Sequence, residues 1–180
     1  LEMGQPFAPA NYGLKSQIYM DRYGATAEQF AAVSVKSHAN AKLNPYAQYR
    51  KEVTIQEVME SRMISTPITL LQCSPTSDGA SAVILSSATR ARQYIGAQRK
   101  VCVTGWACGT DSYDDENLEV LEPTVTRLSR ELYERAGIAP EDIDVVQLHD
   151  AFAPAEIIRM EAMGLAPEGG GARFVAEGKT

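Results

Sequence analysis

Two short stretches of the sequence carry side chains in an order suited to chemistry. The first is Gln147-Leu148-His149-Asp150-Ala151-Phe152-Ala153-Pro154-Ala155-Glu156. An apolar run ends and a helical pattern begins within two residues. The pattern predicts His149 at the C-terminal end of a strand, beside a helix N-terminus. In open α/β sheets ligands bind outside the carboxyl ends of strands. The helix N-terminus adds unpaired N–H groups and a partial positive charge. An imidazole placed there suits orienting a water or donating to an oxyanion. Asp150 is a candidate N-cap, accepting from the backbone N–H groups that follow. A His at a helix start also serves as an ordinary capping or packing residue, and the residues alone leave both readings open.

The second stretch is Cys73-Ser74-Pro75-Thr76-Ser77-Asp78-Gly79. Its hydroxyls and carboxylate would cradle a polar ligand. They would equally make a turn into the next strand, with Asp78 bonding local backbone and Gly79 supplying flexibility. Of the cysteines, Cys73 and Cys102 flank or sit in apolar runs, where a small buried residue is the default. Cys108 falls in a loop and is the one expected to be exposed. His38 lies in a helical stretch and reads as a surface or packing residue.

The elements that must position these residues are written in their periodicity. A loop with a short helix over about 14–23 opens the chain. Thr26-Ala27-Glu28-Gln29 is a capping-box pattern that predicts a helix to about Ala41, ended before Asn44-Pro45. A short helix is expected over 54–61. The apolar runs 80–86, 101–105 and 144–148 read as buried strands. Helices are expected over 88–95, over 151–163 before Gly164, and from Pro123 onward. In the last of these Val125, Leu128, Leu132 and Ala136 step along one face, with Gly137 at the C′ position. Residues 106–122 read as a loop, acidic at Asp111, Asp114, Asp115, Glu116 and Glu119. Strands alternating with helices imply an α/β layered fold with parallel strands.

Composition narrows the function. The 180 residues are 44% hydrophobic, enough for a packed core, and carry a net charge of −6. That balance argues against a phosphate-backbone binder, which needs a basic face. No apolar run reaches the roughly 18 residues of a membrane span. No basic, then apolar, then small-residue start suggests a secretory leader. Three cysteines cannot all pair, and with two scattered histidines they make no zinc set. A reducing, cytoplasmic setting is the simple expectation, and no metal is expected.

Gln72-Cys73-Ser74-Pro75-Thr76-Ser77-Asp78-Gly79-Ala80, after Asn44-Pro45-Tyr46-Ala47-Gln48-Tyr49, closely resembles the thiolase domain of the sterol carrier protein X group and the bacterial lipid-transfer-protein-like thiolases. His149-Asp150-Ala151-Phe152 resembles that group's version of the Asn-Glu-Ala-Phe motif of general thiolases. The matched segments run in order from about Tyr19 to Gly170. The resemblance implies an α/β, thiolase-like αβαβα layered sandwich, incomplete in this chain. Residues 1–70 would belong to the loop domain of the first half, 71–98 would close that half, and 99–180 would begin the second.

The implied chemistry is thiolysis of a 3-ketoacyl-CoA or its reverse, Claisen condensation. The substrate would be a coenzyme A thioester, with no covalently bound cofactor. By the resemblance, His149 positions a water in the enolate oxyanion hole, Ser74 contacts the pantetheine, and Phe152 lines the pantetheine tunnel. Arg50, Lys51 and Arg62 are candidates for the nucleotide phosphates. The family's acylated Cys lies upstream of the matched segments and its Gly-His-Pro base downstream. The chain is therefore expected to be part of a longer acyltransferase and inactive alone. A non-catalytic acyl-CoA-binding or partner subunit is a second reading. A third is a retro-aldolase of steroid side-chain CoA esters, paired with a small OB-fold protein. Assembly into dimers or tetramers, and a peroxisomal address in a eukaryote, are implied in the same way.

Overall fold

The computed structural model describes residues 7–95, 101–111 and 120–180. Helix α1 spans Phe7–Tyr23, α2 Ala27–Ala41 and α3 Ile55–Glu60. A hairpin of β1 (Met63–Ser65) and β2 (Ile68–Thr69) follows, then a 3₁₀ turn at Leu70–Gln72. Helices α4 (Ala88–Ile95), α5 (Pro123–Ala136), α6 (Ala153–Ala162) and α7 (Gly171–Ala176) complete the chain.

The helix boundaries follow local chemistry. Thr26 is the N-cap of α2: its hydroxyl accepts from the Gln29 N–H, and the Gln29 side chain accepts from the Thr26 N–H. Thr54 and Glu57 repeat the same reciprocal cap on α3. Helix α5 starts on Pro123, which gives up no intrahelical bond there, and stops at Gly137, whose φ of 65° is left-handed. Helix α1 begins about two turns earlier than the sequence predicts, because Pro9 falls in the first turn, where its missing N–H costs nothing.

The core is helical. Tyr19 of α1, Phe30 and Val33 of α2, Ala153, Ile157 and Ile158 of α6, and Ala172 and Val175 of α7 pack as one cluster. The carboxylate of Glu161 fastens the last helix to it. That side chain accepts from the Tyr19 hydroxyl, from the Gly171 N–H at 2.7 Å and from the Gly169 N–H at 2.9 Å. Burial, with the bond to Glu161, pushes the Tyr19 phenol well up. Gly169 combines a φ of +69° with the Tyr23 ring 2.5 Å from where a Cβ would stand, so only glycine fits.

The parallel sheet that the sequence predicts is not formed among the described residues. The only ladder there is the antiparallel pair β1–β2. The segments 80–86, 101–105 and 144–148 carry no strand pairing. Their composition explains this. Both faces are apolar, as in strands covered on two sides and flanked by neighbours, and no described residue pairs with them. Ile84 and Val101 are each 95% exposed as a result, and Cys102 is exposed rather than buried. Segment 101–111 does meet α5: the Leu132 side chain lies 2.7 Å from a notional Cβ on Gly105, and Leu128 packs at Gly109. This is the apolar face expected of α5. The acidic positions Asp114, Asp115, Glu116 and Glu119 lie outside the described residues. Among those described, no helix is long and apolar enough to cross a membrane, and no His/Cys/Asp/Glu group is placed to hold a metal ion.

Candidate functional site

The two chemistry-bearing stretches, 75 residues apart in sequence, meet in space. The Ser74 N–H donates to the Ala151 carbonyl at 2.9 Å, and Cys73 and Phe152 form an isolated antiparallel bridge. Backbone pairing of this kind fixes the loop after the 3₁₀ turn against the loop before α6. It thereby sets the relative positions of Ser74 and the His149-Asp150 pair.

A groove of about 250 Å³ runs along this junction. One wall is α2, through Ser34, Ser37 and His38; the other is the 71–75 loop with Asp150 and Ala153, and Tyr49 stands at the rim. The volume lies at the small end for ligand clefts and suits an extended chain rather than a bulky one. Lys36 of α2 and the buried Glu156 of α6 form an ion pair behind it, tying the two helices together.

His38 lies parallel to the Tyr49 ring, with centroids 6.4 Å apart and planes at 9°, and its Nδ1 is 2.9 Å from the Lys51 carbonyl oxygen. A carbonyl oxygen only accepts, so Nδ1 is the donating nitrogen in this contact. Arg50 and Lys51 follow Tyr49 directly and are exposed. Arg62 stands just before β1, where its carbonyl accepts from the Leu70 N–H.

Each residue singled out from the sequence has a definite place. Ser74 is exposed and lines the groove. His149 is exposed at the end of the loop, next to Asp150, which lines the groove. Phe152 turns its ring to Tyr12 of α1, with centroids 4.7 Å apart. Asp150 does not cap α6. The N-cap position is Phe152, without a side-chain cap, because the helix starts at Ala153, and Pro154 behind it has no N–H to satisfy. Cys73 is half-buried, its thiol bonded to the Thr69 carbonyl at 3.4 Å, and burial pushes its ionisation up. A thiol held in the protonated form is a poor nucleophile.

His38 packs parallel to Tyr49, as a packing residue of the helix, and also lines the groove with Ser34, Ser37 and Ala41 on one face of α2. Sequence reasoning missed one contributor. Arg159 bonds the His149 carbonyl from α6, and no local pattern marks it.

Comparison with known proteins agrees with this architecture. Residues 110–180 match a family model described as thiolase C-terminal domain-like. The benzoylsuccinyl-CoA thiolase subunit BbsB of Thauera aromatica is 38% identical over 168 residues, covering 93% of this chain and 43% of that protein. Sterol carrier protein 2 of Bos taurus is 39% identical over 178 residues, 96% of this chain and 33% of that protein. Acetyl-CoA acetyltransferase of Methanothermobacter thermautotrophicus is 39% identical over 173 residues, covering 96% and 45%. The chain therefore spans less than half the length of these relatives. A solved structure described as an Ltp2-ChsH2(DUF35) aldolase superposes with a TM-score of 0.78 at 30% identity, over 94% of this chain and 46% of that one. Residues 110–180 are thus thiolase C-terminal domain-like, and most of the chain is similar to proteins of the thiolase family.

Proposed function

We propose that this chain is part of a thiolase-type acyltransferase acting on coenzyme A thioesters. The groove between α2 and the 71–75 loop would take the pantetheine arm, and His149 would stand at the reacting end. The observation that carries this reading is the junction itself. The Ser74–Ala151 hydrogen bond sets one groove wall and the His149-Asp150 segment in a single frame. The likeness to proteins named as acetyl-CoA acetyltransferase and as a CoA thiolase subunit supports the substrate class. Residues 99–180 are proposed as the start of the second thiolase half, in keeping with the family match over 110–180.

Chemically, the exposed His149 imidazole would orient a water or donate toward the oxygen that gains charge as the thioester enolises or as a tetrahedral adduct forms. Ser74 would hold the pantetheine, and Arg50 and Lys51 at the rim would meet the nucleotide phosphates by charge. Phe152 would support this wall through its backbone bridge to Cys73 and its ring on Tyr12. None of the three cysteines is proposed as the acylated nucleophile. Cys73 is kept protonated by burial, and Cys102 and Cys108 lie in the exposed 101–111 segment. The acyl group would be taken by a cysteine outside this sequence. Self-association into a dimer or tetramer is proposed with the same reading.

The test is turnover of a 3-ketoacyl-CoA by the enzyme that carries this chain, with and without His149→Ala. Removing one oxyanion donor should lower kcat on the order of 10²–10³-fold. An unchanged kcat would return His149 to a structural role. The similarity to the Ltp2-ChsH2(DUF35) aldolase favours one alternative, retro-aldol cleavage of a CoA ester with a DUF35-type partner. A β-hydroxyacyl-CoA offered with and without such a partner separates the two: cleavage to an aldehyde or ketone that needs no free coenzyme A indicates the aldolase.

A further inference from the structure

Arg159 stands apart from the groove yet grips the segment that carries His149. One Nη donates to the His149 carbonyl, and the other donates to the Tyr12 hydroxyl at 2.9 Å. Its guanidinium lies 5.9 Å from the centre of the Tyr12 ring. The Nε faces the Glu122 carboxylate at 3.8 Å and has no hydrogen-bond partner among the described residues. Glu122 is held in turn by Lys15 at 2.8 Å. Tyr12 packs on Phe152, so the ring that supports the guanidinium also supports the other end of the four-residue motif.

A surface arginine does not need this many restraints. The guanidinium is planar, with donors in a fixed fork, and here the fork spans two elements of different origin, α1 and the loop before α6. Fixing a backbone carbonyl fixes the peptide plane that follows it and narrows the ψ of the residue that owns it. For His149 that sets the direction in which Cβ, and so the imidazole, leaves the chain. No side-chain bond restrains the ring itself among the described contacts, so the backbone is where its aim is determined.

We infer that Arg159 is a positioning residue for His149, acting through the His149 carbonyl and anchored by Tyr12 and Glu122. The inference rests on the acyl-CoA reading only for the use His149 is put to; the positioning is a property of this chain and is measurable without substrate. The chain has two histidines, so protein labelled with ¹³Cε1-histidine gives two imidazole signals, and His149→Asn assigns them. Arg159→Lys keeps the charge but removes the fork. Tyr12→Phe keeps the ring on Phe152 and removes only the hydroxyl that anchors the guanidinium.

Both variants should move or broaden the His149 signal and leave the His38 signal in place, since His38 is held separately by Lys51 and Tyr49. Movement of both signals together would mean general loosening of the fold and would overturn the proposal. So would a His149 signal unchanged in the folded Tyr12→Phe protein. A moved His149 signal in a chain that turns out not to bind acyl-CoA would refute the functional reading and leave the positioning intact. In the acyl-CoA enzyme the same variants should lower kcat ten- to a hundredfold with KM unchanged, the cost on the order expected for a misaimed catalytic group.

Discussion

Replacing Lys36 by methionine should destabilise the protein far more than removing its partner, because burial is shared unequally across the pair. The Glu156 side chain is 8% exposed and the Lys36 side chain 28%. Glu156 accepts from Lys36, and no other hydrogen bond reaches its carboxylate among those described. Lys36→Met therefore strands a buried carboxylate. Breaking a fully buried pair from one side costs about 3–5 kcal/mol. Discounting for the part-exposed lysine brings the expectation to about 2–3 kcal/mol. Glu156→Leu, by contrast, leaves an ammonium whose flexible stem reaches water, and should cost less than about 1 kcal/mol. The double variant should fall within about 1 kcal/mol of wild type, since two apolar side chains of similar size replace a buried pair at little loss.

Urea unfolding at fixed protein concentration measures all four proteins. With a slope of about 2 kcal/mol/M, Lys36→Met should lower the midpoint by about 1–1.5 M without changing the slope. Equal losses for the two single variants, or a Lys36→Met midpoint within error of wild type, would refute the asymmetry. Because the pair ties α2 to α6, whose Ala153 lines the groove, Lys36→Met should also widen the groove. That effect should be partly reversed in the double variant.

Three further outcomes are expected. Thr26→Ala removes one side of the α2 capping box and should cost about 1 kcal/mol, a fall in Tm of about 2–4 °C by calorimetry. A thiol reagent followed by peptide mapping should label Cys102 and Cys108 first and Cys73 last. Burial raises the Cys73 thiol, so its rate should climb only as pH rises past the ordinary thiol range, and equal rates at neutral pH would contradict that placement. The unpaired segments around Ile84, Val101 and Val145 present backbone and apolar side chains to solvent, so the isolated chain should associate with increasing concentration in sedimentation velocity. A monodisperse monomer at every concentration would count against that reading of the segments.

What the sequence made legible was mostly local. The reciprocal cap of α2, and the Pro123 start and Gly137 stop of α5, involve residues three apart or a single backbone angle, so the pattern and the structure coincide. Non-local features were less readable. The runs 80–86, 101–105 and 144–148 have strand composition, but a strand exists only when another strand bonds to it, and composition does not supply the partner. Asp150 looked like an N-cap because it sits where the helical pattern begins. The helix starts at Ala153, three residues after Asp150, with Pro154 in its first turn. The pairing of Ser74 with Ala151 is a contact between backbones, which carry no side-chain signature. Arg159 escaped notice for a similar reason, since its partner is a carbonyl that every residue possesses. The resemblance, by contrast, pointed to both stretches from their side chains, and the structure brings them together at one groove.

Hydrogen exchange read by mass spectrometry, with and without acetyl-CoA, tests the central claim most directly. Acetyl-CoA should protect peptides covering 33–49, 71–75 and 150–153, which line the groove, and leave α7 at Gly171–Ala176 unchanged. Uniform exchange with and without the thioester, or protection confined to surfaces away from Ser74 and Asp150, would contradict a coenzyme A thioester site at this junction.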